Sequence, residues 1–154
     1  FVLPEIVTDA ALQDRADRLE MFGRVGTRAV LILIVGDIEQ MRTMLQHVFE
    51  GMGAHVRIVE TGEDALQAIA QQMPQLVLLD LKLPMMDGFE VLKQLKLRYP
   101  KLPVLVLTGY FDESIDRYVR ELGALACFHK PLDLPTLQRK VVELAPRLAP
   151  TPAS

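Results

Sequence analysis

Five short apolar runs, separated by helix-like segments, constrain the fold of this chain more than any other feature. The runs are rich in Val, Ile and Leu and lie at residues 30–35, 55–60, 76–80, 103–107 and 125–129. The segments between them carry apolar residues at helical spacing, as at Met44, Leu45, Val48 and Phe49. Continuous apolar strands that alternate with helices indicate a parallel sheet with both faces covered. The pattern therefore predicts an α/β domain.

A doubly wound arrangement of five parallel strands is the expected architecture. The flavodoxin-like strand order 2-1-3-4-5 is the usual one at this size. Helix boundary signals agree with this reading: Thr61 can cap the second helix, and Pro74 and Pro100 follow the second and third helices. Gly53 and Gly123 stand where helix C-caps are expected. We predict that this domain spans residues 29–146.

The two ends of the chain differ from the central pattern. Residues 1–28 form a predicted N-terminal extension, in which residues 9–22 have the spacing of an extra amphipathic helix. This helix has two interpretations, an extension docked on the domain or a linker continuing from an upstream domain. Residues 147–154 are rich in Pro and Ala, and this composition predicts a disordered tail.

Composition excludes several classes of function. Half of the 154 residues are apolar, which suffices for a sizeable core, and the net charge of -3 gives no reason to expect direct contact with nucleic acid. The single cysteine, Cys127, excludes an internal disulfide and suits a reducing compartment. The apolar runs are far shorter than the roughly 20 residues that span a bilayer, and the N-terminus lacks the pattern of a secretory signal. We therefore predict a soluble, cytoplasmic segment without membrane insertion.

Four polar residues stand at or just past the C-terminal ends of the apolar runs. They are Asp37, Asp80, Thr108 and Lys130. In an open parallel sheet these ends lie along one edge, and ligands bind in the crevice outside them. Two carboxylates, a hydroxyl and an ammonium gathered there predict a site for a divalent cation and a phosphoryl group.

Asp80 is the candidate nucleophile of this site. A carboxylate at the end of a buried strand is costly unless it is paired, and Mg²⁺ prefers such oxygen ligands. Asp37 offers a second carboxylate, and the backbone carbonyl of Lys82 offers a third oxygen. Thr108 and Lys130 would bind phosphoryl oxygens while Asp80 attacks and becomes an acyl phosphate. Taken singly, each residue has an ordinary explanation as a cap, a turn residue or a surface lysine. Their placement at four strand ends favours a common site.

The sequence resembles a response-regulator receiver domain, the phosphoacceptor module of two-component signalling. The matching segments are LILIVGDIEQMR, LVLLDLKLPMMDGFEVLKQL, PVLVLTGY and GALACFHKPLDL. The resemblance implies that Asp80 is the phosphoacceptor, that Asp37 is a direct Mg²⁺ ligand and that the Lys82 carbonyl contributes to the metal site. It also implies that Thr108 and Lys130 bind the phosphoryl group, and that the peptide bond between Lys130 and Pro131 is cis.

Two positions depart from the family pattern. Gly36 occupies the first position of a usual acidic pair, so we expect weakened metal binding but not its loss, because Asp37 and Asp80 remain. Cys127 stands where an aromatic side chain usually moves inward, and Phe128 should point to the opposite face of the strand. We therefore expect the conformational signal to be transmitted by backbone movement of the loop at 108–113. Cys127 itself is interpreted as a small core or half-buried residue.

The leading hypothesis is a signalling switch, a module that promotes its own phosphorylation and dephosphorylation without being an enzyme of wider scope. It takes a phosphoryl group from a histidine kinase or a histidine phosphotransfer protein and shifts a two-state equilibrium. The altered surface would be residues 109–146, and its partner would be a second copy, forming a homodimer, or a downstream domain. The opening residues FVLPE resemble the closing strand of a kinase ATP-binding domain, which favours a place in a hybrid histidine kinase.

Two other hypotheses belong to different classes. A pseudo-receiver would keep the fold as an interaction module without being phosphorylated, and Gly36 and Cys127 favour it. An unrelated α/β phosphatase or nucleotide-binding enzyme is disfavoured, because Asp80 lacks a second carboxylate two residues later and no Gly-rich phosphate loop follows the first strand.

Overall fold

The computed structural model describes residues 30–36, 39–83, 87–109 and 112–144. Within these ranges, five strands and five helices alternate along the chain. The strands are β1 (Leu31–Val35), β2 (His55–Val59), β3 (Leu76–Asp80), β4 (Val104–Thr108) and β5 (Ala126–His129). The helices are α1 (Glu39–Gly51), α2 (Gly62–Gln71), α3 (Gly88–Arg98), α4 (Glu113–Glu121) and α5 (Leu134–Leu144).

All strand pairs are parallel, and the sheet order is β2-β1-β3-β4-β5. This confirms the predicted doubly wound α/β fold. The chain moves from β1 to β2 on one side and then returns to β3 on the other side of β1. The strand order thus reverses between β1 and β3, and a crevice opens at their C-terminal ends. Asp80, the last residue of β3, lies at this crevice.

Alternate residues of the central strands enter two separate cores, one on each face of the sheet. Ile32 and Leu78 face the core that contains Phe49 of α1 and Val141 of α5. Their neighbours on the same strands face the second core, which α2, α3 and α4 cover. Every residue of β3 and β4 is buried, whereas the edge strand β2 is partly exposed. This explains why the central strands are continuous apolar runs and not alternating ones.

The predicted helix boundaries are confirmed where the structure describes them. The Thr61 hydroxyl accepts a hydrogen bond from the Asp64 backbone N–H at 3.0 Å and caps α2. Gly53 and Gly123 follow α1 and α4 with positive φ angles of 90° and 111°. Strand β4 differs slightly from the prediction, because Thr108 is its last residue and does not lie just beyond it.

Some sequence predictions concern residues outside the described ranges. The N-terminal extension at residues 1–28, with its amphipathic helix at 9–22, and the tail at 147–154 are among them, as is Asp37. The domain boundaries 29 and 146 also lie outside these ranges and stay predictions. None of the helices in the described part of the chain combines the length and apolarity needed to cross a membrane.

Candidate functional site

Asp80 is a buried carboxylate whose two oxygens are both hydrogen-bonded. Only 2% of the residue is exposed. Its Oδ1 accepts a hydrogen bond from the backbone N–H of Lys82 at 2.9 Å. Its Oδ2 accepts one from the Lys130 ammonium at 2.5 Å. Burial of an unpaired carboxylate would be costly, and these two donors offset that cost.

Lys130 reaches Asp80 from the other side of β4. It directly follows β5, and its backbone N–H donates to the Thr108 carbonyl at 2.7 Å, which continues the ladder between β4 and β5. The peptide bond to Pro131 is cis, as the resemblance implied. Because β4 lies between β3 and β5 in the sheet, the Lys130 side chain crosses the end of β4 to reach the carboxylate.

Thr108 lies at the end of β4, between the strands that carry Asp80 and Lys130. It is 1% exposed, and it stands opposite His129 in the register of β4 and β5. The structure therefore brings Asp80, Thr108 and Lys130 to one edge of the sheet. Lys82 is adjacent, and its backbone N–H donates a hydrogen bond to the Asp80 carboxylate. Asp37 lies outside the described residues, so its place at this edge stays a prediction.

The backbone of Gly36 borders the carboxylate on the side of β1. Gly36 is buried, and its N–H donates to the Val59 carbonyl at 2.9 Å. A Cβ built on this residue would lie only 2.6 Å from the Asp80 Cβ. Sequence reasoning treated Gly36 as a missing acid and did not find this contact. The glycine itself was the available signal, since close backbone approach commonly requires one.

A polar cluster links α4 to β5 beside the site, and sequence reasoning also missed it. The His129 Nε2 lies 3.2 Å from the Asp116 Oδ1. Burial, together with a hydrogen bond to Asp116 and the charge of Asp116, raises the pKa of the Cys127 thiol to about 12. Cys127 packs with the second core and Phe128 with the first, so the two side chains point to opposite faces as predicted. No signal in the sequence could have found this pair, because a His and an Asp thirteen positions apart match no known motif.

The donor chemistry at the sheet edge suits magnesium. Within the described ranges, no group of three or more His, Cys, Asp or Glu side chains could hold a metal ion. Mg²⁺ needs fewer protein side chains than zinc, because it usually binds through one or two carboxylates and keeps several waters. The buried Asp80 carboxylate is a hard oxygen donor of this kind.

Comparison with known proteins identifies the family. Residues 32–142 match the response regulator receiver domain. The chain is 36% identical over 115 residues to sporulation initiation phosphotransferase F of Bacillus subtilis, covering 75% of this chain and 93% of that protein. It is 33% identical over 104 residues to the DNA-binding transcriptional regulator NtrC of Escherichia coli, covering 68% of this chain and 22% of that protein. It thus spans only about a fifth of the length of that regulator.

Solved structures give the same result. The signal receiver domain of a DNA binding response regulator from Colwellia psychrerythraea superposes with a TM-score of 0.72 at 28% identity, covering 76% of this chain and 98% of that one. A response regulator receiver domain protein from Methanospirillum hungatei superposes with a TM-score of 0.71 at 28% identity, covering 77% and 95% of the two chains. The chain belongs to the response regulator receiver domain family, the signalling modules of two-component systems.

Proposed function

We propose that Asp80 accepts a phosphoryl group from a phosphohistidine and that the resulting acyl phosphate switches this domain between two conformations. The donor is a histidine kinase or a histidine phosphotransfer protein. The observation that carries the proposal is the buried Asp80 carboxylate paired with Lys130 at 2.5 Å, at the edge of a receiver fold.

The different partners of the two carboxylate oxygens suggest which one attacks. Oδ1 is bound by a backbone N–H, which moves only with the chain. Oδ2 is bound by the Lys130 ammonium, which sits on a flexible stem and is 28% exposed. Oδ2 is therefore the oxygen that can be released. It forms the new bond to phosphorus while the bond from phosphorus to the histidine nitrogen breaks, and the electron pair leaves with that nitrogen.

Lys130 has a second task once Oδ2 attacks. Its ammonium turns from the carboxylate to the phosphoryl oxygens, so the positive charge stays beside the atoms that carry the negative charge. Thr108 is the last residue of β4, and in this proposal its hydroxyl hydrogen-bonds the same phosphoryl group.

Asp37, Asp80 and the Lys82 carbonyl would hold Mg²⁺ at this edge. When bound, Mg²⁺ neutralises charge on the phosphoryl oxygens during transfer. Gly36 leaves the site with one carboxylate fewer than an acidic pair would supply, which supports binding of modest affinity.

The output surface is the face formed by residues 109–146. Phosphorylation adds about one to two negative charges at Asp80 and shifts the equilibrium through the end of β4. A second copy of this face or a downstream domain is the partner, and a hybrid histidine kinase in the cytoplasm is the setting that we propose.

Phosphorylation with a small-molecule donor tests the proposal. The protein is incubated with acetyl phosphate and Mg²⁺, and its intact mass is measured. We expect the mass of one phosphoryl group to be added to the wild type and removed again by hydroxylamine, which cleaves acyl phosphates. Asp80→Asn should gain nothing, whereas the control Asp64→Asn, at an exposed position on α2, should gain the same mass as the wild type.

The metal requirement is tested in the same assay with EDTA, which should abolish the mass gain. Equal gain in wild type and Asp80→Asn would refute the assignment of the phosphoacceptor. No gain in the wild type with either acetyl phosphate or phosphoramidate would refute the switch and leave an interaction module.

A further inference from the structure

We infer that Gly36 is a positioning residue for the phosphoacceptor: its backbone packs against Asp80, holds the carboxylate on Lys130 and keeps the space beside Oδ2 clear. This inference rests on the proposed function of Asp80. It assigns Gly36 a role of its own, beyond the absence of an acidic side chain.

The backbone of Gly36 has a conformation that favours glycine. Its φ angle is 151°, which a residue with a Cβ rarely adopts. The residue is buried directly after β1, and its N–H is tied to the Val59 carbonyl of β2 at 2.9 Å. Because β1 pairs with both β2 and β3, the segment cannot move away from Asp80 without disturbing the sheet.

A side chain at position 36 would collide with Asp80. Its Cβ would lie 2.6 Å from the Asp80 Cβ and 3.4 Å from both Cγ and Oδ2. The Asp80 Cβ is attached to the backbone of β3, which is paired on both sides and continues into the bond from the Leu81 N–H to the Leu107 carbonyl at 3.0 Å. The collision therefore cannot be relieved by the far end of a flexible side chain.

The displaced group would be the carboxylate itself. A backbone shift that moved Asp80 away from position 36 would carry the carboxylate with it and change its contacts to the Lys130 ammonium and to the Lys82 N–H, now 2.5 Å and 2.9 Å. It would also crowd Oδ2, the oxygen that we propose as the attacking atom. Misplacement of reacting groups by about 1 Å can reduce a rate by roughly a hundredfold.

Gly109 provides a matched control at the same edge of the sheet. It directly follows β4, as Gly36 follows β1. A Cβ at Gly109 would meet nothing within 4 Å, and its φ lies outside the range that favours glycine. The same chemical change, Gly to Ala, therefore adds a methyl group against Asp80 in one case and into open space in the other.

The first experiment compares phosphorylation rates of Gly36→Ala and Gly109→Ala with acetyl phosphate and Mg²⁺. We expect Gly36→Ala to react at least about tenfold more slowly than both the wild type and Gly109→Ala. The Gly36→Ala protein should also unfold about 5 °C or more below the wild type. Equal rates for the wild type and Gly36→Ala would overturn the inference.

The second experiment measures packing alone and needs no phosphorylation. Asp80→Gly removes the Cβ that position 36 would strike, whereas Asp80→Ala keeps it. We expect Gly36→Ala to lower the unfolding midpoint less in the Asp80→Gly background than in the Asp80→Ala background. The same loss in both backgrounds would overturn the inference. If Gly36→Ala alone fails to fold, the Asp80→Gly background should restore folding, and failure to restore it would count against the contact.

The two experiments separate this inference from the proposed function. A wild type that accepts no phosphoryl group refutes the function of Asp80, while the packing of Gly36 on Asp80 is still decided by the unfolding midpoints. A phosphorylated wild type with an equally reactive Gly36→Ala variant refutes only the role of Gly36.

Discussion

Removal of the Lys130 ammonium should destabilise this protein far more than neutralisation of Asp80. Lys130→Met keeps most of the apolar stem and deletes the charge, which leaves a carboxylate that is 2% exposed without its cationic partner. Asp80→Asn removes the buried charge instead. The Lys130 side chain, 28% exposed, can then turn its ammonium to water.

The magnitudes follow from this asymmetry. Removing one partner of a buried ion pair costs about 3–5 kcal/mol, because the other charge stays buried without compensation. The partial exposure of Lys130 and the remaining hydrogen bond from the Lys82 N–H place Lys130→Met at the low end, about 3 kcal/mol. Asp80→Asn keeps a carbonyl oxygen for that N–H and should cost no more than about 1 kcal/mol. The double variant should lie near Asp80→Asn, which implies a coupling energy of about 3 kcal/mol, the whole loss expected for Lys130→Met.

Urea unfolding without Mg²⁺ measures all three variants against the wild type. In thermal unfolding, the stability lost in Lys130→Met corresponds to a fall of roughly 10 °C in the melting temperature. Lys140→Met is the matched control, because its side chain is similarly exposed at 29% but its partner Glu143 is 70% exposed at 3.9 Å. Such a surface pair contributes about 0–1 kcal/mol. The reasoning is refuted if Lys130→Met costs no more than Asp80→Asn, or if the double variant is less stable than Lys130→Met.

Three further predictions concern stability. Burial raises the pKa of the Cys127 thiol from 9.0 to about 12, so the folding stability that depends on the neutral thiol is complete below pH 9 and is lost as the pH rises towards 12. Cys127→Ala should therefore weaken the alkaline decline of stability measured by urea unfolding. An unchanged decline would contradict the burial argument. The Lys96 ammonium donates to two backbone carbonyls at 2.9 Å and 2.8 Å, so Lys96→Met should lower the free energy of unfolding by about 1–3 kcal/mol. Lys93→Met, at an exposed position of α3, should lower it little. Equal losses for the two variants would show that these hydrogen bonds do not stabilise the fold. Thr61→Ala removes the cap of α2 and should lower the free energy of unfolding by about 1 kcal/mol, measured by thermal unfolding. Thr61→Ser keeps a capping hydroxyl and should retain most of that stability.

The sequence predicted the fold well because strand burial and helical spacing leave direct marks in the order of residues. The runs that end at Asp80 and Thr108 are buried on both faces, and such strands must be apolar throughout. The cap at Thr61 was also predictable, because a cap depends on residues three positions apart. Strand order was expected from fold size and not from any local pattern.

The candidate site was predictable to a lesser degree. The rule that polar residues at parallel strand ends meet at one edge correctly grouped Asp80, Thr108 and Lys130. The rule does not state which atoms touch. It could not show that Lys82 donates its N–H to Asp80, or that Asp116 lies beside His129.

By itself, the order of residues determined that this chain forms a five-stranded parallel sheet with polar groups at one edge, because burial on two faces imposes a period that any such chain must carry. The tertiary structure alone decided the contacts between distant positions. The hydrogen bond from Lys130 to Asp80 joins residues 50 positions apart, and the approach of Gly36 to Asp80 depends on a φ angle of 151°. Such contacts depend on strand register and backbone angles, which are set by the packing of the whole domain and leave no periodic trace in the sequence.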